Sequence, residues 1–154
     1  MNKFRIYLDT SVFGGYFDTE FKEFTEPLFK RIADGEFIVL LSTILDEELE
    51  FAPDRIKMIM SKLDNQNTEF LVDKDEAIDL ATKYIEEKVV GKTNFADCLH
   101  IALATIYKAD LLVSWNFKHI VNIERIRGYN SINIKNGYKQ LEIRSPRDLM
   151  NYGN

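Results

Sequence analysis

Sulfur chemistry is nearly absent from this sequence: Cys98 is the one cysteine in 154 residues. A lone thiol forms no internal disulfide. The core must therefore hold the fold, and a reducing cytoplasm is the expected setting. Glycine and proline are scarce, at 7 and 3 residues, which excludes collagen-like repeats and long Pro/Gly linkers. No apolar run approaches the ~20 residues of a membrane span. Arg5 and Asp9 interrupt the N-terminal segment, so no signal peptide is expected. An excess of positive charge is missing as well. The net charge of −5 argues against gripping nucleic acid through a broad basic face. Solvated acidic helix faces account for most of it. A cluster of acids that waits for divalent cations, which then attract phosphate, remains compatible with it.

What is present is ordinary globular usage, with 45% hydrophobic and 29% charged residues. A chain of this length fits one domain, residues 1–154, and buries roughly 68–70% of its unfolded surface without staples. Residues 3–8 alternate in strand-forming types and predict a first strand that ends at Asp9. A short helix broken at Gly14-Gly15 is expected next. Phe24, Leu28 and Ile32 recur at helical spacing within 20–33, and Gly35 stops that helix. The run Phe37-Ile38-Val39-Leu40-Leu41 suits a strand buried on both faces of a parallel sheet. Ser42 or Thr43 can cap a helix to about Phe51, and Pro53 restarts one to about Leu63. Further expectations are a strand at 70–72, helices at 75–90 (ended by Gly91) and 94–109, strands at 111–114 and 131–134, a turn at Asn136-Gly137 and a helical turn at 146–150. Strands that alternate with helices predict a three-layer α/β/α sandwich around a mainly parallel sheet. In such sheets ligands sit beyond the carboxyl ends of the strands.

The acids are then weighed by place. Asp9 ends the first strand, where it can be a metal ligand supported by the hydroxyl of Thr10 or Ser11, or an N-cap. The stretch Asp46-Glu47-Glu48-Leu49-Glu50 offers several acids, which the helical wheel separates. Glu48 falls on the apolar arc of Ile44, Leu45, Leu49, Phe51 and Ala52, and the other acids fall on the solvated side. A glutamate on a core-facing stripe needs a buried cationic side chain or a metal ion. Asp97 opens the apolar helix Phe95-Ala96-Asp97-Cys98-Leu99-His100-Ile101-Ala102, with Asn94 three residues before it in a capping-box pattern. After the strand at 111–114, Asn116 is a turn former, and His119 can be a ligand, a proton carrier, a phosphate contact or none of these. Placed on one sheet edge, the acids repel unless protons or cations neutralise them. Oxygen ligands select Mg²⁺ or Mn²⁺, the ions of phosphodiester hydrolysis. Lys118, Arg125 and Arg127 lie just beyond, as phosphate contacts or solvated charge. The aromatics Phe13, Tyr16 and Phe17 are core or partner contacts.

The ordered pieces Leu8-Asp9-Thr10-Ser11-Val12, Leu41-Ser42-Thr43-Ile44-Leu45 leading to Glu48-Leu49, Ala96-Asp97-Cys98-Leu99-His100-Ile101-Ala102-Leu103-Ala104 and Leu112-Val113-Ser114-Trp115-Asn116-Phe117-Lys118-His119-Ile120 resemble the PIN-domain family, within it the VapC-like toxins. The resemblance implies a Mg²⁺- or Mn²⁺-dependent endoribonuclease, often a homodimer, silenced by an antitoxin. Asp9, Glu48 and Asp97 match the family's first three acids, and Ser11 its hydroxyl position. The family's last motif is commonly Thr-x-Asn/Asp followed closely by Asp-Phe. Here Ser114-Trp115-Asn116 and His119-Ile120 stand instead, so the fourth acid is absent or replaced by Asn116 and His119. The alternative is a weak or inactive RNA- or protein-binding domain of the same fold. An aspartyl phosphatase-like hydrolase would want a second Asp at position 11, which is Ser.

Overall fold

The computed structural model describes residues 3–88 and 94–150. Five strands form one parallel sheet in the order β3-β2-β1-β4-β5: β1 (Phe4–Leu8), β2 (Phe37–Ser42), β3 (Thr68–Leu71), β4 (Leu111–Val113) and β5 (Ile143–Arg144). Seven helices among the described residues accompany it: α1 (Thr10–Gly15), α2 (Lys22–Ala33), α3 (Thr43–Leu49), α4 (Asp54–Ser61), α5 (Asp75–Glu86), α6 (Phe95–Ile106) and α7 (Ile123–Lys135). None is long and apolar enough to cross a membrane.

The strand residues explain the layering. Side chains on a strand point alternately to the two faces. Ile6, Leu8, Val39, Leu41, Leu111 and Val113 pack with α1 to α4, whereas Tyr7, Leu40, Leu112 and Ile143 pack with α5 to α7. The runs Ile6-Tyr7-Leu8, Phe37 to Leu41 and Leu111 to Val113, apolar at successive positions, are thus what two covered faces demand, and the expected α/β/α sandwich is observed. The chain steps from β1 outward to β2 and β3, then returns to place β4 on the other side of β1.

Local chemistry sets most boundaries. Helix α2 ends at Gly35, whose φ of +80° few other residues adopt. Its amide donates to Ile32 O and that of Glu36 to Arg31 O, a Schellman closure. Ser42 caps α3 by accepting from the Leu45 amide. The expected extension of the helix from Asp75 to Val90 is corrected. Helix α5 stops at Glu86, and Lys88 takes the left-handed turn at φ +57°. Gly91, the expected stop, lies outside the described residues. The strand expected at 131–134 is also corrected, because these residues are the last turns of α7. Ile132, Asn133 and Ile134 alternate like a strand. Yet Ile126, Tyr129 and Ile132 recur at helical spacing, and the Asn133 side chain is buried, accepting from Tyr84 Oη and donating to Thr105 Oγ1. Asn122 caps this helix by accepting from the Glu124 and Arg125 amides. The two-residue β5 carries no periodicity and was not expected. Phe13 is core, and Tyr16 and Phe17 pack against the core's edge beside a groove of about 500 Å³ between α2 and α4.

Glycine is required at one of the two adjacent positions in α1. A Cβ at Gly15 would come within 2.6 Å of the Trp115 indole, whereas one at Gly14 would meet nothing within 4 Å. Gly15→Ala is therefore expected to lower stability by about 1–3 kcal/mol through overpacking. Gly14→Ala is expected to be neutral or to stabilise by up to ~1 kcal/mol through helix propensity. Urea unfolding of the two variants checks the contrast.

Candidate functional site

The strand order reverses between β1 and β4, so the crevice beyond their carboxyl ends is where an open parallel sheet binds ligands. Asp9 forms one bank of that crevice and Ser114 the other. The Asp9 carboxylate is only 4% exposed. Ser11 Oγ donates to its Oδ1 and Ser114 Oγ to its Oδ2, each at 2.6 Å. Both hydroxyls are themselves aimed by backbone. The Trp115 amide donates to Ser11 Oγ at 2.8 Å, and the Asn116 amide to Ser114 Oγ at 2.9 Å. Although Asp9 precedes α1, its side chain makes no capping hydrogen bond. The cap alternative for Asp9 therefore falls.

Helix α6 delivers Asp97 and His100, three residues apart and so on one face. Asn94 caps this helix by accepting from the Asp97 amide at 2.8 Å, which is half of the expected capping box. The Asp97 carboxylate faces Asn116, whose Nδ2 lies 3.5 Å from Oδ2. Glu48 is not sunk in the core; its side chain is 34% exposed at the rim. Its Oε1 accepts from Thr10 Oγ1 at 2.7 Å and meets His100 Nε2 at 2.5 Å. Its titratable protein partner is thus a histidine side chain. Asp46, Glu47 and Glu50 are exposed, as the helical wheel implied, but Phe51, expected on the apolar arc, is 91% exposed because α3 ends at Leu49 before reaching it. His100 is buried, and its Nδ1 lies 2.5 Å from Tyr7 Oη, which is 2.8 Å from Ser42 Oγ.

At the fourth corner Asn116 does two things. Its Oδ1 accepts from the His119 amide at 2.9 Å, the turn role, while its Nδ2 turns to Asp97. His119 Nδ1 is buried without a hydrogen-bond partner. Lys118 and Arg127 are exposed and Arg125 is half-buried.

The electrostatics divide the three acids. Burial, reinforced by the charge of Asp97, pushes the Asp9 carboxyl up against the pull of His100 and the two serines. Burial, with Glu48 nearby, likewise raises Asp97 against His100, His119 and Asn116. At Glu48 partial burial pushes upward too, but the bonds from His100 and Thr10 prevail and hold the carboxyl low. Burial pushes the Cys98 thiol up to about 12, so it is not a nucleophile. Among the described residues no three of His, Cys, Asp and Glu are gathered to hold a metal ion together. A hard cation such as Mg²⁺, however, is commonly held by one or two carboxylates, with water and substrate phosphate completing its shell. Asp9 and Asp97, two oxygen donors of raised pKa that repel each other, fit that mode.

His100, Tyr7 and Ser114 are the site residues that sequence reasoning missed. The three-residue spacing from Asp97 could have found His100. Ser114 follows β4 as Asp9 follows β1. Tyr7 carries no signal, since it occupies an ordinary core position of a strand.

No protein-family model matches the chain, and no curated protein matches it. Solved structures do. The sarcin–ricin-loop-cleaving toxin VapC20 of Mycobacterium tuberculosis superposes with a TM-score of 0.58 at 11% identity, over 74% of this chain and 92% of that one. FitAcB of Neisseria gonorrhoeae gives 0.58 at 12% identity, and VapBC2 of Rickettsia felis, solved bound to a promoter DNA fragment, gives 0.55 at 16%. Each covers 92% of this chain and 98% of its own. At such identities the likeness shows the fold, a PIN-like α/β/α sandwich.

Opposite shifts at two acids give opposite pH behaviour without divalent cations. The raised folded pKa of Asp9 contributes stability below the ordinary carboxylate range, and this is lost as pH rises through the folded value. The lowered folded pKa of Glu48 contributes stability above that range, lost as pH falls through the folded value. In EDTA, Asp9→Asn is therefore expected to be more stable than wild type near neutral pH, and Glu48→Gln less stable. Both differences should shrink on acidification. Urea unfolding from about pH 7 down to about pH 3 checks this; the same sign at both sites would refute it.

Proposed function

We propose that this protein is a divalent-metal-dependent endoribonuclease that hydrolyses RNA phosphodiester bonds, the toxin of a toxin–antitoxin pair acting in the cytoplasm. One observation carries the reading: a buried Asp9 at the reversal of strand order, with both carboxylate oxygens braced by serine hydroxyls. The four-motif resemblance and the shared fold with an RNA-cleaving toxin, VapC20, support it. Mg²⁺ or Mn²⁺ is the expected cation, held by Asp9 and Asp97 with Glu48 beside them. When bound, it supplies the positive charge that neutralises these acids and draws in a phosphate.

The chain's own groups do the rest. Ser11 and Ser114 occupy both oxygens of Asp9 and prevent it from turning. Glu48, kept ionised and open to solvent, serves as acceptor for the proton of the attacking water. Asn116 steadies Asp97 and fixes the turn by accepting from the His119 amide, and His119, whose Nδ1 is buried without a partner, supports the site from that turn. The expected partners are RNA, a cognate antitoxin and a second copy of the chain. A second reading, an RNA- or protein-binding domain without turnover, draws on the replaced fourth acid, where His119-Ile120 stands.

With Mn²⁺ present, the purified protein is expected to cleave single-stranded RNA, and EDTA to stop the reaction. Asp9→Asn should slow cleavage by at least ~10²-fold, about 2.7 kcal/mol of barrier, with its far-UV circular dichroism retained. Intact RNA after incubation of wild type with Mn²⁺ would favour the binding-domain reading.

A further inference from the structure

Glu48 belongs to a seven-residue helix at the rim, α3, and its long side chain is one-third exposed. Nothing in α3 itself fixes where that carboxylate points. What meets it comes from elsewhere: Thr10 from α1 and His100 from α6. Behind His100 runs a buried line of polar groups, Tyr7 Oη from β1 and Ser42 Oγ from the end of β2.

With the imidazole neutral, the hydrogens of this line follow by elimination. A carboxylate only accepts, so in the neutral imidazole Nε2 carries the hydrogen and donates to Glu48. Nδ1 must then accept, and Tyr7 donates its single hydroxyl hydrogen to it. Because the single Tyr7 hydrogen is spent on His100, Ser42 donates its own hydrogen to Tyr7 while its Oγ accepts from the Leu45 amide. Every donor is used once and every step runs the same way, from Ser42 through Tyr7 and His100 to Glu48. Buried polar lines of this kind are costly when left incomplete and rigid when complete.

We infer that His100 is a positioning residue, which the β1–β2 pair orients through Tyr7 and Ser42 so that it aims the Glu48 carboxylate at the crevice. The inference rests on the nuclease reading for its kinetic consequence, but the geometry is testable without it. Its structural logic is economical. Asp97 and His100 stand three residues apart on α6, so one helix presents its own acid and sets the direction of the acid on α3.

Two isosteric comparisons test this. His100→Leu fills the space without a donor, and His100→Gln restores an N–H of similar reach. In crystal structures of the metal-free proteins, the Glu48 carboxylate should leave Thr10 in His100→Leu and keep its place in His100→Gln. An unmoved carboxylate in His100→Leu would overturn the inference whatever the activity. In Mn²⁺-supported RNA cleavage, His100→Leu should lose about 10–100-fold in kcat with KM little changed, the usual effect of removing a partner that orients a site side chain. His100→Gln should recover most of that loss. Equal losses in both variants would also overturn it. Should His100→Leu fail to fold, Tyr7→Phe keeps the packed ring and removes only the hydroxyl. Long-range ¹H–¹⁵N spectra should then show His100 losing its single Nε2–H tautomer, and an unchanged tautomer counts against the inference. A wild type that cleaves no RNA would refute the nuclease reading and leave the crystallographic comparison to decide the positioning role.

Discussion

A carboxylate buried at the end of the central strand is the constraint around which the rest of this molecule is arranged. Removing such a charge from water costs several kcal/mol unless hydrogen bonds or opposite charge compensate. Two serine hydroxyls do so for Asp9, and each is held by a backbone amide. The compensation requires β4 to lie beside β1 in the observed register, with Leu8 opposite Val113, because only then does Ser114 emerge across from Asp9. A slip of one residue would remove that hydroxyl and turn Leu112 to the wrong face. The register that builds the two cores therefore also builds the crevice.

Strand β1 is gripped at its other end as well. The Arg5 guanidinium makes a two-pronged bond to Glu69 on β3 and donates to the carbonyls of Tyr107 and Lys108 at the end of α6. Those carbonyls lack helical partners, so a cation there satisfies both the hydrogen bonds and the helix dipole. Helix α6 is thereby tied to β1 at its far end through Arg5 and in its second turn through His100 and Tyr7. Asp97, in its first turn, is presented from a fixed support. Rigid mounting of this kind suits a site in which like charges must be held close, since a flexible mounting would let them separate.

The sequence alone determined the layered sandwich, because strands alternate with helices and the apolar run Phe37 to Leu41 requires cover on both faces. It placed Asp9 and Asp97 by their positions at a strand end and a helix start. It also singled out Glu48 from its acidic neighbours by the helical wheel, although that residue turned out to sit at the rim. Where local patterns were short or ambiguous, it misled. Residues 131–134 alternate like a strand, but a buried Asn133 that bonds Tyr84 and Thr105 commits them to α7. Only the tertiary structure decided what each acid meets. The histidine at Glu48, the serine just after β4 at Asp9 and the tyrosine behind the histidine come from segments far apart in the chain. Periodicity reports which face a side chain occupies. It carries no information on which polar group of another element will stand opposite, and in a buried site that pairing sets the charge.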